Sequence, residues 1–169
     1  MATLPVFPPP TYVTWRPLAA PDLAYVAALE AQVHAAPWSL GNFRDALAAG
    51  YATRVAEREG RIIAYGVLML SPGEAQVLNI SVVPDARREG FGRALLTQFI
   101  DDAWRLGAEQ CFLEVRVSNS AAIALYEGAG FVRIARRTSY YPALGPGASR
   151  EDALVMRLAL PAWPPLVAD

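Results

Sequence analysis

The sequence predicts an α/β fold, a mixed sheet covered by helices on its faces, and three observations carry that expectation. Apolar strand-like runs bounded by turn residues recur along the chain, an amphipathic stripe runs from Gly92 to Leu106, and strand-like and helix-like segments alternate in order. A chain of 169 residues is one domain by size, long enough to bury roughly two-thirds of its unfolded surface. Proline-rich stretches at residues 1–10 and 161–169 suit extended arms better than sheet, which leaves 11–160 as the folded domain.

Within that domain, Tyr12 to Arg16 reads as a first strand and Pro21 to His34 as a helix with the proline in its opening turn. Ser39 to Ala49 reads as a second helix, which Ser39 can cap and Gly50 can end. Residues 51–58 and 61–70 form a hairpin across Glu59-Gly60, and Gln76 to Val83 follows as the next strand. From Gly92 to Leu106, Leu95, Leu96, Phe99, Ile100 and Ala103 share one helical stripe, opposite Arg93, Gln98, Asp101, Asp102 and Arg105, and Gly107 stops it. A strand at Gln110 to Val117, a helix at Ser120 to Ala129, and strands near Phe131 to Thr138 and Ala153 to Leu160 complete the order.

Composition narrows the function classes. The net charge is −1, so there is no global basic field for nucleic acid and no acidic tail; direct nucleic-acid binding is not expected. All 15 basic residues are arginine. Cys111 is the only cysteine, which rules out an internal disulfide; its neighbours supply no base, so it reads as a buried structural residue. The first ten residues lack the charged and apolar regions of a signal peptide, and no run of 18 apolar residues suggests a membrane span. A cytoplasmic protein without a membrane partner is expected. His34 is the lone histidine and reads as a helix-end residue; a metal site is not expected.

The segment of highest information is N-I-S-V-V-P-D-A-R-R-E-G-F-G-R-A, residues 79–94. A strand-like run, a Pro-Asp turn, two arginines, a Gly-x-Gly step and a helix start build an anion cradle: glycines admit close backbone approach, and the helix turns free N–H groups toward the ligand. A nucleoside-triphosphate loop needs Gly-Lys-Ser/Thr, but Arg93 and Ala94 follow Gly92. A dinucleotide fingerprint needs a third glycine where Leu95 stands. The plain alternative is a glycine-rich turn that only caps a helix, against which the two arginines argue.

The run R-R-E-G-F-G-R-A-L-L resembles the acetyl-coenzyme A signature of the GNAT N-acetyltransferases, Gln/Arg-x-x-Gly-x-Gly/Ala, with Arg87 in its first position. Leu113 to Phe131, His34 to Ser39 (H-A-A-P-W-S) and Ser139 to Pro142 (S-Y-Y-P) resemble one branch, the RimI-type ribosomal-protein alanine N-acetyltransferases. The resemblance covers most of residues 34–160. It implies a GNAT fold: a mixed, mostly antiparallel sheet of about seven strands flanked by about four helices, splayed where acetyl-CoA binds. It also implies acetyl-CoA as co-substrate and a protein N-terminus as partner, the alanine of a small-subunit ribosomal protein.

Making an amide from a thioester requires an unprotonated amine, a polarised carbonyl and a proton for the departing sulfur. An α-amine of pKa about 8 is roughly a tenth free at pH 7, whereas a lysine amine near about 10.4 is almost wholly protonated, so a terminal amine needs only a modest base. The strand pleat puts Phe112, Glu114 and Arg116 on one face. Glu114 is either exposed, paired with Arg116, or placed for work; the resemblance makes it the general base. Tyr126 is either a helix aromatic packed beside Ile123 or, by resemblance, the general acid, and one ring can serve both ends.

Asn119 is a plausible cap that by resemblance also contacts the cofactor. The matching cofactor positions are Ile80, Ser81 and Val82 through strand backbone, and Arg87, Arg88, Glu89, Gly90, Phe91, Gly92, Arg93 and Ala94 around the diphosphate. Trp38, Tyr140 and Tyr141 match segments flanking the peptide groove. Two rival functions remain open at this point: the same fold acting on a lysine side chain or small amine, and a non-catalytic acyl-CoA-binding module.

Overall fold

The computed structural model describes residues 12–162, in which strands and helices follow the expected order. β1 (Thr14–Arg16) leads through a 3-10 turn at Ala20–Asp22 into α1 (Leu23–Val33), so Pro21 sits in a tight turn just ahead of the helix. α2 (Leu40–Ala48) begins at Ser39, whose hydroxyl accepts from the Asn42 N–H while the Asn42 amide oxygen accepts from the Ser39 N–H, a reciprocal cap. β2 (Ala52–Arg58) and β3 (Arg61–Ser71) turn at Glu59 and Gly60, with φ of 52° and 74°, the two left-handed residues a two-residue hairpin needs. Then come β4 (Glu74–Val82), α3 (Phe91–Arg105), β5 (Gln110–Arg116), α4 (Ser120–Gly128), β6 (Val132–Tyr141) and β7 (Glu151–Ala159).

β6 runs beyond the expected Thr138. Its register against β7 shifts between Arg137 and Tyr141, around Ser139 at φ 51°. Asp152 accepts from the Ser139 N–H and Arg150 donates to the Ser139 carbonyl, so the irregular residue is satisfied and the strand resumes at Tyr141. Tyr140 and Tyr141 therefore belong to a strand. Of the expected proline-rich arms, residues 1–10 and 163–169 lie outside the described residues, and the Pro161 carbonyl accepts from the Trp104 indole.

The strands form a seven-stranded open sheet, β1-β2-β3-β4-β5-β7-β6, with every neighbour antiparallel except β4 and β5. α3 and α4 cover one face: Leu95, Leu96, Phe99 and Ile123 pack with Val77, Leu113 and Val115. α1 and α2 cover the other, where Val26 and Phe43 pack with Val55, Tyr65 and Val67. Among the described residues, no helix is long and apolar enough to cross a membrane.

The feature that shapes the site is in β4. Val67 pairs with Asn79 but Leu68 pairs with Val77, which leaves Leu78 as one extra residue. The parallel pairing with β5 ends at the same level, at Val77 and Leu113. A bulge bends its strand and resets the alternation of side chains. Ala75 and Val77 face the α3 side, whereas beyond the bulge Asn79 and Ser81 reach Glu30 of α1. Gly66 lies beneath this point: a Cβ there would stand 2.6 Å from the Asn79 carbonyl oxygen and 2.8 Å from Phe99 Cε2.

Gly66→Ala should therefore lower stability by about 1–3 kcal/mol in thermal unfolding, because the bulge carbonyl has nowhere to move. Gly128→Ala, at the end of α4 with nothing within 4 Å of the added carbon, should be neutral or stabilising.

Candidate functional site

Beyond Val77 and Leu113 the parted strands open onto a cleft of about 1010 Å³. Its walls bring together Ile80, Ser81 and Val82, the run Arg87 to Ala94, Asn119 and Tyr126, with Val33, His34, Ala121, Ala122 and Leu125 filling between them. The Val83 N–H donates to the Ile63 carbonyl, so strand alternation turns the peptide groups of Ile80 and Val82 the other way, toward the space β5 has left. The Val82 carbonyl accepts from Arg87 Nε at 3.3 Å.

At the cradle, Gly90 caps α3 at φ 88° with no side-chain acceptor, so the first-turn N–H groups face the cleft. Gly92 has a different use. A Cβ on it would lie 3.5 Å from Leu125 Cδ2 and 3.7 Å from Val82 Cγ2, ordinary contacts, so packing does not demand glycine. Its bare Cα leaves room between α3 and α4 at the positive end of the helix dipole, which fits a diphosphate. Two of the expected contacts are limited to backbone. The Glu89 carboxylate is held by Arg58 at 2.7 Å and by the Tyr12 hydroxyl at 3.1 Å, and Arg58 draws its pKa down. The Phe91 ring is buried against Ala56, Ala64 and Val83. Asn119 caps α4, its side-chain oxygen accepting from the Ala122 N–H.

Tyr126, 9% exposed, packs against Ile123 and lies 6.0 Å from the Phe131 ring. Burial pushes its hydroxyl up to about 12, which keeps it protonated at neutral pH. Cys111 is wholly buried and its thiol is likewise pushed up to about 12, as an inert core residue requires.

Glu114 lies on the other face of β5 from Leu113 and Val115, as the pleat predicts, but its partner is not Arg116. Arg116 is taken by Glu151 at 3.1 Å and by the Pro142 carbonyl, and stacks 4.4 Å from the centre of the Tyr141 ring. Glu114 instead meets Arg137 Nε at 3.0 Å. Arg116 and Arg137 share one row through Ala153, so Arg137 reaches diagonally across β7 over a small residue. Tyr140 stands close enough for the Glu114 carboxylate to hold its proton and raise its pKa. Tyr141 is pushed up to about 12, first by burial, then by the charges of Glu114 and Tyr140. Tyr126 adds to that rise, which places Tyr141 within electrostatic reach of both Glu114 and Tyr126. Trp38 does not join this group. Its ring lies 5.2 Å from Phe43 and packs with the α1–α2 cluster.

Sequence reasoning missed a second polar centre. Glu30 is 1% exposed in α1. Its carboxylate accepts from the Tyr65 hydroxyl at 2.6 Å, the Asn79 amide at 3.1 Å and the Trp38 N–H at 3.1 Å. Burial, with Glu30 as hydrogen-bond partner, raises the Tyr65 pKa far above its ordinary value. Ser81 Oγ lies 2.8 Å from Asn79 Oδ1 and 2.7 Å from His34 Nε2. Ser81 Oγ donates to Asn79 Oδ1 and lies within reach of Glu30, so His34 Nε2 meets Ser81 in the tautomer that carries its proton there. His34 is thus a helix-end residue, as expected, and also a wall of the cleft. The signal was present: Glu30 falls on the helical row of Leu23 and Val26, where an apolar residue belongs. Among the described residues no group of three or more metal-binding side chains occurs.

Comparison with known proteins gives a consistent picture. The Acetyltransferase (GNAT) family profile matches residues 15–131. The [Ribosomal protein bS18]-alanine N-acetyltransferase of Escherichia coli K12 is 39% identical over 139 residues, 82% of this chain and 92% of that protein. The Haemophilus influenzae protein of the same name is 34% identical over 135 residues, 80% of this chain and 90% of its own. The crystal structure of the E. coli ribosomal-protein-S18-alanine N-acetyltransferase superposes with a TM-score of 0.82 at 37% identity, covering 92% of this chain and 99% of that one. The fold also resembles yncA of Salmonella typhimurium solved with acetyl-CoA, at TM-score 0.72 and 23% identity over 94% of this chain and 98% of that one.

Glu30→Ala should cost on the order of 2–4 kcal/mol in denaturant unfolding, because the buried Tyr65 and Asn79 donors and the part-buried Trp38 N–H lose their acceptor. Glu30→Gln, which keeps one acceptor oxygen, should cost less. In ultraviolet titration of tyrosinate, the signal removed by Tyr126→Phe should have its midpoint near about 12, two units above an ordinary phenol of about 10.

Proposed function

The chain belongs to the GNAT acetyltransferase family, and we propose that this acetyl-CoA-dependent N-acetyltransferase acts on a protein N-terminal amine, the alanine of a small-subunit ribosomal protein, with Glu114 as base and Tyr126 as acid. The observation that carries the reading is the parting of β4 from β5 after Val77 and Leu113, where Glu114 is the next residue of β5 and the protonated Tyr126 phenol lines the cleft. Likeness to the E. coli bS18-alanine N-acetyltransferase over 82% of the chain supports the acceptor.

The donor fits the cleft on four counts: outward peptide groups at Ile80 and Val82, the N-terminal turn of α3 with its positive dipole end, the room at Gly92, and Arg87 beside Val82. When bound, it supplies an acetyl thioester. The Val82 N–H, turned into the opening, polarises the acetyl carbonyl. Glu114 takes the proton of the acceptor amine, directly or through one water. An α-amine is roughly a tenth unprotonated at neutral pH, so a carboxylate is a sufficient base. Tyr126 donates its O–H to the leaving sulfur. Burial keeps the phenol protonated, so it has a proton to give to the departing thiolate.

Purified protein with acetyl-CoA and a peptide beginning with alanine should yield the N-acetyl peptide, and an N-blocked peptide bearing a lysine should not react. Glu114→Gln and Tyr126→Phe should each lower kcat by on the order of a hundredfold or more. Undiminished turnover in both variants would remove these roles. Preference for the blocked lysine peptide would move the acceptor to a side-chain amine, and acetyl-CoA binding without consumption of any amine would leave a non-catalytic module.

A further inference from the structure

We propose that Arg137 is an internal occupant of the acceptor's ammonium seat: in the free enzyme its guanidinium holds the contacts to Glu114 and Tyr140 that the arriving α-ammonium takes over. This deepens the function proposed above and rests on it.

The seat is built for a cation. Arg137 Nε lies 3.0 Å from Glu114 Oε1, and the guanidinium carbon lies 5.2 Å from the centre of the Tyr140 ring. The Tyr141 ring meets Tyr140 edge to face at 5.1 Å. A carboxylate beside the face of a tyrosine is the chemistry that recognises guanidinium and ammonium groups alike. An amine that is to give its proton to Glu114 must reach that same carboxylate. Two cations competing for one carboxylate and one ring face repel each other, so arrival of one requires departure of the other.

The neighbouring arginines show that this contact is not the default for the strand. Arg133 has Glu127 at 2.8 Å, Arg136 has Asp152 at 2.6 Å, and Arg150 donates to the carbonyls of Ser139 and Tyr140. Arg116, on the same row, is set into the structure: its side chain and that of Glu151 are 17% and 19% exposed, and it is tied to the Pro142 carbonyl. Arg137 is 55% exposed while Glu114 is 16% exposed. It leans in from solvent on an edge strand, and an ion pair of that kind is weak enough to exchange. Arg137 is thus a specificity-determining residue: it excludes weakly held cations from the base and yields to an amine that the rest of the acceptor delivers.

The test compares wild type, Arg137→Gln and Arg137→Lys in steady-state turnover of a peptide beginning with alanine. It adds calorimetric binding of that peptide and of its N-acetylated form to the enzyme loaded with unacetylated CoA. Removing the competing charge should lower the peptide KM about two- to fivefold, the worth of a half-exposed ion pair, while the acetyl-CoA KM stays unchanged. Arg137→Lys should keep the wild-type value, since an ammonium still competes. Calorimetry should show the free-amine peptide bound more tightly by Arg137→Gln, and the uncharged N-acetyl peptide bound equally by all three. A purely structural role predicts the opposite sign, a raised peptide KM in Arg137→Gln. That result, or no change, overturns the proposal and leaves the function standing. Absence of both turnover and binding of the free-amine peptide in wild type removes the function and this inference together.

Discussion

The extra residue at Leu78 is the constraint from which the site follows. Antiparallel pairing with β3 holds β4 along its length, yet one residue finds no place in the register, and the strand bends where it stands. Pairing with β5 ends at that level, so the peptide groups of Ile80 and Val82 are left facing an opening. The same shift in alternation points Asn79 and Ser81 at α1. Without it, those two polar side chains would face the apolar α3 and α4 layer, and Glu30 would lose its β4 partners, Asn79 and Ser81. The opening and the buried polar centre are two outcomes of one register shift.

Glu30 shows how the second outcome reinforces the first. An unpaired carboxylate at this depth would be strongly destabilising, but here each oxygen accepts hydrogen bonds. Its partners come from β3, from β4 past the bulge, and from the loop carrying Trp38, so the carboxylate ties the bent strand to the helix layer on its far side. On the near side Gly66 lets Leu95 and Phe99 close down on the bulge carbonyl. The bend is held from both faces of the sheet. A cleft wall so braced keeps its geometry without a ligand, which is what a preorganised binding surface requires.

Much of this was legible in the sequence, where the signal was local. The Glu59-Gly60 hairpin, the Ser39 and Asn119 caps, the stripe of α3 and the cradle from Arg87 to Ala94 each rest on residues a few positions apart. What escaped was set by pairing between distant segments. Periodicity alone does not reveal a bulge, because Leu78 reads as one more apolar residue in an apolar strand. Glu114 was legible as a carboxylate out of place, but its cation was sought on its own strand and came from β6, two strands away. Trp38 matched a groove segment and yet packs on Phe43, the ordinary fate of a large aromatic beside a helix start. The strand expected to end near Thr138 runs on through Tyr141; the irregularity at Ser139 that carries β6 onward depends on Asp152, whose role no local pattern announces.

The two faces of the sheet also divide the proton traffic of the proposed reaction. An ammonium that becomes an amide gives up more protons than a thiolate takes, so one must leave for water. Glu114 stands on the face bordered by an exposed edge strand, beside the half-exposed Arg137, where water can collect that proton. Tyr126 stands on the opposite face, sealed by Ile123 and Phe131, and burial keeps its hydroxyl protonated far above neutral pH. Exchanging the two would fail on both counts: a buried carboxylate could not discharge its proton, and an exposed phenol would compete with water for the sulfur. In the proposed reaction the sheet thus gives the acceptor a side bordered by solvent and the leaving group a buried side.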